Sequence, residues 1–176
     1  MRPIEKRSPP PRELVEAKAA GATRWTELQR DAKAALRRAL VEDQLDLCCY
    51  CMRRIRSEAL DTIAAPTGAK IEHLVARATD PGRELDWHNL LAACGGFEGS
   101  PRELQTCDTH KGNQPLTHLN PLGPLHGLKY YSDGRIDGPG DAVRTELEAV
   151  LNLNAELLRR NRVAAYDALV ASLRLR

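Results

Sequence analysis

The chain has 176 residues, with 26 Lys and Arg against 24 Asp and Glu, a formal net charge of +2 that does not by itself mark a nucleic-acid binder. Its 42% hydrophobic and 28% charged residues are ordinary for a globular fold, and the length suits one domain with a core of its own. With aromatics at only 4%, that core is expected to consist of Leu, Ala, Val and Ile, which favours a largely helical frame.

The opening segment, MRPIEKRSPPPRE, lacks the apolar run of a signal peptide, and no stretch approaches the roughly 18 apolar residues of a membrane span. A cytoplasmic protein is expected. In a reducing compartment, five cysteines that include one close pair favour a metal site over disulfides. After the proline cluster Pro9-Pro10-Pro11, Pro11 is placed to start a short helix ending near Gly21. Trp25, Leu28, Ala32, Ala35, Leu36, Ala39 and Leu40 then recur at helical spacing and predict an amphipathic helix from Thr23, as N-cap, to Leu45.

The centre, from Cys48 to about Pro121, contains every cysteine, and short strands are expected around Tyr50–Ile55 and Ala69–Val75. Leu128–Ile136 reads as a hairpin turning at Asp133-Gly134. Beyond Gly140 two helices are expected, one lined by Leu147, Val150, Leu151, Leu157 and Leu158, the next by Val163, Tyr166, Leu169, Val170 and Leu173. Arg159, Arg160, Arg162, Arg174 and Arg176 make this end basic, a pattern most often found on solvated helix faces. The expected organisation is one domain with three parts: an N-terminal helical flank (1–46), a cysteine-bearing core (47–136) and a C-terminal helical flank (137–176).

Cys48 and Cys51 form a C-x-x-C, the spacing that lets two thiolates converge on one tetrahedral metal from a tight turn. Cys94 and Cys107 are the candidates for the other half, because closure entropy grows slowly enough with loop length for the intervening loop to bring them together. Cys49, beside Cys48, is expected to be a small buried residue pointing elsewhere. A redox role for the pair is disfavoured by the absence of a βαβ pattern around it.

Between the two cysteine pairs lies Lys70-Ile71-Glu72-His73-Leu74, in which a carboxylate able to bind a hard cation adjoins an imidazole able to take a proton. Asp86-Trp87-His88-Asn89-Leu90 and Cys107-Asp108-Thr109-His110-Lys111-Gly112-Asn113 follow. Trp87 is expected in the core, and no role is assigned to His88, His118 or His126.

Taken in order, Cys48-Cys49-Tyr50-Cys51, Ile71-Glu72-His73, Asp86-Trp87-His88-Asn89-Leu90, Cys94-Gly95-Gly96, Lys111-Gly112-Asn113 and Asn120-Pro121-Leu122 resemble the four-cysteine HNH endonucleases. Within these the likeness is to the nuclease subunits of Septu-type and retron-associated anti-phage systems, and it covers roughly residues 45–136. The resemblance implies an α+β fold with a ββα-metal core and a structural Zn²⁺ on Cys48, Cys51, Cys94 and Cys107. His73 would be the general base, Asn89 would brace the loop and orient it, and Glu72 would be a ligand of a catalytic Mg²⁺ or Mn²⁺. The second ligand would be Asp108 or His110, with Asp108 preferred because two carboxylates suit Mg²⁺. Lys111 would meet a phosphate of the DNA substrate. The implied partners are an ATPase of the SMC/ABC type and, in retron-associated members, a reverse transcriptase with its noncoding RNA. Two rivals stand beside this reading: a zinc-stabilised binding module without catalysis, and a homing or restriction-type HNH enzyme acting alone. The latter lacks a recognisable sequence-reading element.

Overall fold

The computed structural model describes residues 1–59 and 68–174, and Arg176 of the basic C-terminal group lies outside them. The fold is α+β. Helix α1 (Arg12–Ala19) and helix α2 (Arg30–Asp43) precede strand β1 (Arg56–Ala59), which runs parallel to β2 (Gly68–His73). Strand β3 (Leu90–Ala93) pairs antiparallel with β2, in the register Lys70↔Ala93, Ile71↔Ala92, Glu72↔Leu91 and His73↔Leu90. Helix α3 (Cys107–Lys111) follows, then the small hairpin of β4 (Lys129–Tyr130) and β5 (Ile136–Asp137). Helix α4 (Gly140–Thr145) continues into a π-helical turn (Glu146–Val150), and α5 (Glu156–Arg174) ends the described chain. Among the described residues, no helix is long and apolar enough to cross a membrane.

The core follows the aliphatic composition. Leu14, Leu36 and Leu40 from the first helices meet Leu90 and Leu91 of β3 and Leu147, Leu151, Leu153 and Leu158 of the C-terminal segment in one buried cluster. All four residues of β3 are buried, so it is the central strand in packing although, among the described residues, only β2 pairs with it. Its open edge is completed by side chains. Buried Gln44 accepts from the Ala92 amide (2.7 Å) and donates to the Ala92 carbonyl (2.7 Å), as a neighbouring strand would. Lys6 Nζ donates to the Leu90 carbonyl at 2.7 Å while lying 3.4 Å from the centre of the Trp87 ring. Asn89 grips both backbone groups of Val75 in the same way, and Asn154 those of Ile136. These amides meet the requirement that buried backbone groups be paired where the short strands run out.

The helix expected over Thr23–Leu45 is interrupted. Trp25–Glu27 forms a separate 3₁₀ turn, Leu28 is extended, and α2 begins at Arg30. The cause is tertiary: the Glu84 carboxylate takes the Trp25 amide at 2.7 Å and the Arg24 guanidinium at 3.1 Å, pulling this turn onto the β2–β3 loop. The strand expected around Tyr50–Ile55 is displaced to Arg56–Ala59, because residues 48–53 close a turn in which the Cys48 amide donates to the Arg53 carbonyl (2.9 Å). The hairpin turns at Asp133-Gly134 as expected, with Gly134 at φ +80° and packed so closely that a Cβ there would lie 2.2 Å from the Arg159 carbonyl oxygen. Arg159 and Arg162 bind this hairpin through Asp133 and the Gly134 carbonyl, so part of the basic C-terminus holds the fold together.

Replacing Gln44 by Ala leaves the Ala92 amide buried without its acceptor. The expected loss is about 1–3 kcal/mol of unfolding free energy, read as a lower urea midpoint at unchanged slope.

Candidate metal centre and acidic cleft

The four cysteines singled out by spacing do converge: the sulfurs of Cys48, Cys51, Cys94 and Cys107 all lie within 4.8 Å of one another. Cys48 and Cys51 sit on the turn that follows α2, Cys94 directly follows β3, and Cys107 opens α3. The turn is tied to β3 by the Cys49 amide, which donates to the Ala92 carbonyl at 3.0 Å. The loop between Cys94 and Cys107 closes where the Thr106 amide meets the Gly96 carbonyl at 2.9 Å. Gly96, at φ +54°, permits that approach, since a Cβ there would stand 2.3 Å from the Thr106 oxygen.

A tetrahedral zinc with bonds of about 2.3 Å to sulfur sets its ligands about 3.8 Å apart. Cys51 Sγ and Cys94 Sγ are 3.7 Å apart, so the group has the donor chemistry and the size of such a site. Burial alone would raise the Cys48 thiol, but the neighbouring thiols aimed at its sulfur lower it well below the usual range. The Cys107 thiol moves up, because it donates towards Cys48. Cys49 is buried and stands outside the group.

Beside this centre, a cleft of about 360 Å³ is lined by Lys70, Glu72, His73, Arg77, Glu98 and Asp108, among others. Strand alternation places Lys70 and Glu72 on the same side of β2. Both reach α3: Lys70 Nζ lies 3.2 Å from Asp108 Oδ2, and Lys111 Nζ lies 2.8 Å from Glu72 Oε1. Tyr50, from the cysteine turn, donates its hydroxyl to the same Glu72 Oε1 at 2.8 Å. Burial, then the nearby Asp108, pushes the Glu72 carboxyl well above the usual carboxylate range despite Lys111. Burial also opposes the charge on Asp108, but hydrogen bonding with Glu72 and the charge of Lys70 outweigh it and hold that carboxyl below its ordinary value. The two carboxyls therefore respond in opposite directions to the burial and hydrogen bonding they share.

His73 ends β2. Its Nε2 is 3.1 Å from the Glu84 carbonyl oxygen, which can only accept, so Nε2 carries the hydrogen and Nδ1 keeps the lone pair. Trp25 packs edge-on against the ring at 5.3 Å between centroids. Burial, with the charge of Arg77 adding to it, lowers the imidazole below its ordinary pKa despite the hydrogen bond to Glu84. Asn89, fully buried, clamps the loop after His73 by gripping Val75 and donating to the Arg83 carbonyl at 3.0 Å.

Lys111 and His110 do not line the cleft. Lys111 is 1% exposed and serves as the internal counter-ion of Glu72, so it does not face a phosphate. Its burial follows from position, since α3 lies against β2 and the Lys111 side chain also reaches the His73 carbonyl (3.3 Å). His110, two residues from Asp108 on a helix, faces the other way and sets its Nδ1 3.0 Å from the Val150 carbonyl. Of the two proposed second ligands, Asp108 is therefore the one beside Glu72. Sequence reasoning also missed Tyr50, which it read only as part of the cysteine motif and the start of an expected strand. It missed Arg77 as well, which is exposed at the cleft and, among the described residues, forms no ion pair.

Among the described residues, the four cysteines are the only group of three or more metal-ligand side chains whose donor atoms converge. Glu72 and Asp108 fit a hard divalent ion only as a pair of carboxylates completed by water, the usual arrangement for Mg²⁺. Cys107→Ser is expected to abolish stoichiometric zinc and the cooperative unfolding transition, whereas Cys49→Ala keeps both; metal analysis and thermal melts of the purified variants check this. No protein-family model and no curated protein matches this chain.

Proposed function

We propose that the chain is a metal-dependent endonuclease of the HNH, ββα-metal type that hydrolyses DNA phosphodiester bonds. One juxtaposition carries the reading. An antiparallel strand pair followed by a short helix brings the buried Glu72 and the half-buried Asp108 to the same cleft as an imidazole with a free Nδ1. Asn89 braces the loop that holds that imidazole. The four-cysteine centre would hold a structural Zn²⁺ and the carboxylates a catalytic Mg²⁺ or Mn²⁺.

In this mechanism His73 Nδ1 accepts a proton from the attacking water as the water oxygen bonds to phosphorus and the ester P–O bond breaks. The Glu84 carbonyl fixes the tautomer that leaves Nδ1 free. The depressed proton affinity of His73 keeps it in the basic form at neutral pH. Arg77 is the cation available to a phosphate of the substrate. Glu72 and Asp108 would hold a divalent ion, which would supply charge stabilisation for the phosphate and leaving oxygens.

The family resemblance adds a role as effector subunit of an anti-phage complex with an SMC/ABC-type ATPase, with a retron reverse transcriptase and its noncoding RNA in some members. The surface that suits such a partner is on α5, where Tyr166, Leu169 and Leu173 are exposed at helical spacing. Upstream, Leu147, Leu151, Leu153 and Leu158 are core residues, so only the distal part of this flank is free for docking.

A second reading, a zinc-stabilised binding module without catalysis, is favoured by one feature: Lys111 already neutralises Glu72. Plasmid cleavage decides between them. Wild type with Mg²⁺ or Mn²⁺ is expected to cut, and His73→Ala is expected to hold zinc while losing activity on the order of a hundredfold or more. Zinc-loaded wild type that cuts no DNA, with or without its genomic ATPase neighbour, moves the binding module ahead. Leu169→Asp with Leu173→Asp is expected to leave zinc content and melting unchanged and to abolish co-purification with that neighbour; undiminished co-purification would place the interface elsewhere.

A further inference from the structure

Tyr50 sits between Cys49 and Cys51 on the cysteine turn, yet its hydroxyl leaves that turn and ends on Glu72 of the acidic cleft. The side chain is 1% exposed, so nothing about solvent contact explains a polar group there. The residue is also held on both sides. The Cys49 amide is pinned to the Ala92 carbonyl, and Cys51 faces Cys94 at 3.7 Å.

We propose that Tyr50 is a positioning residue through which the cysteine centre orients Glu72 for a divalent cation, an inference that rests on Glu72 being a ligand in the cleft. Tyr50 and Lys111 both bind Glu72 Oε1, each at 2.8 Å. Among the described residues no further N–H or O–H donor binds the carboxyl, so it is anchored through Oε1, and its other neighbour in the cleft is the second acid, Asp108. The two anchors come from either side of the sulfur cluster: Tyr50 from the Cys48–Cys51 turn, and Lys111 from the helix that Cys107 begins. Whatever holds the four sulfurs together also holds both donors on Glu72.

The test is Mn²⁺ binding to the zinc-loaded chain without DNA, followed by the paramagnetic resonance signal of free Mn²⁺, for wild type, Tyr50→Phe and Glu72→Gln. Loss of one hydrogen bond to a charged ligand is expected to weaken Mn²⁺ binding by about tenfold in Tyr50→Phe, with zinc content and melting midpoint unchanged. Glu72→Gln is expected to remove the site. If Tyr50→Phe binds Mn²⁺ as wild type does while Glu72→Gln does not, the role of Tyr50 is overturned and the cleft assignment stands. If Tyr50→Phe loses its zinc, the hydroxyl serves the folding of the turn and the proposal also fails. If wild type binds no Mn²⁺, or Glu72→Gln binds it equally well, the reading of the cleft fails and the inference fails with it.

Discussion

Four sulfurs gathered within 4.8 Å join three parts of the chain that otherwise have little reason to meet: the turn after α2, the end of β3 and the start of α3. The strands of the three-stranded sheet are only four to six residues long, and the core contains few aromatics to anchor it. A metal held by these thiols would close a loop of more than forty residues between Cys51 and Cys94 and a shorter one between Cys94 and Cys107. Ordering such loops carries an entropic cost that a tetrathiolate site offsets, because its binding free energy is also folding free energy. Cys107 adopts a positive φ of +55°, a conformation costly for a residue that is not glycine, at the point where its sulfur joins the group.

The acidic cleft depends on the same convergence. A buried carboxylate is unfavourable unless paired, and Glu72 is paired by a lysine and a tyrosine that the cysteine-bearing segments deliver. Asp108 directly follows Cys107, so the placement of one sulfur also places the second acid and, one turn later, the compensating ammonium of Lys111. Glu84 works from the opposite side. Its carbonyl holds His73, while its carboxylate draws in the turn that carries Trp25. The imidazole is thus confined by backbone and indole, and its basic nitrogen is set by a hydrogen bond rather than by solvent.

Around this centre, amide side chains do work that regular strands do in larger sheets. Gln44, Asn89 and Asn154 each pair with both the N–H and the C=O of a single residue. Glu146, on the π-helical turn, likewise gathers the amides of Thr117, His118 and Leu119. Such residues let short elements satisfy their backbone groups without added length, and they fasten the loop beside His73 with the same chemistry that fastens the sheet edge.

The α+β class came from the resemblance, whereas helix α1, the hairpin at Asp133-Gly134 and the convergence of the four cysteines were legible in the sequence. Each follows from local rules: apolar period, turn chemistry and the reach of a C-x-x-C. Asn89 stood out only through the resemblance, and the register of β2 with β3, which no local rule gave, sets it beside the loop after His73. What the chain order left open was decided by contacts between distant segments. Glu84 broke the helix expected from Thr23, the packing of α3 on β2 buried Lys111, and the direction of a helical turn separated His110 from Asp108. Tyr50 belongs with these, since a tyrosine in a cysteine turn looks like core until the position of Glu72 is known. Local periodicity and spacing report which residues can meet a metal or a core; the partner of a buried charge depends on which elements pack face to face, and only the tertiary structure contains that.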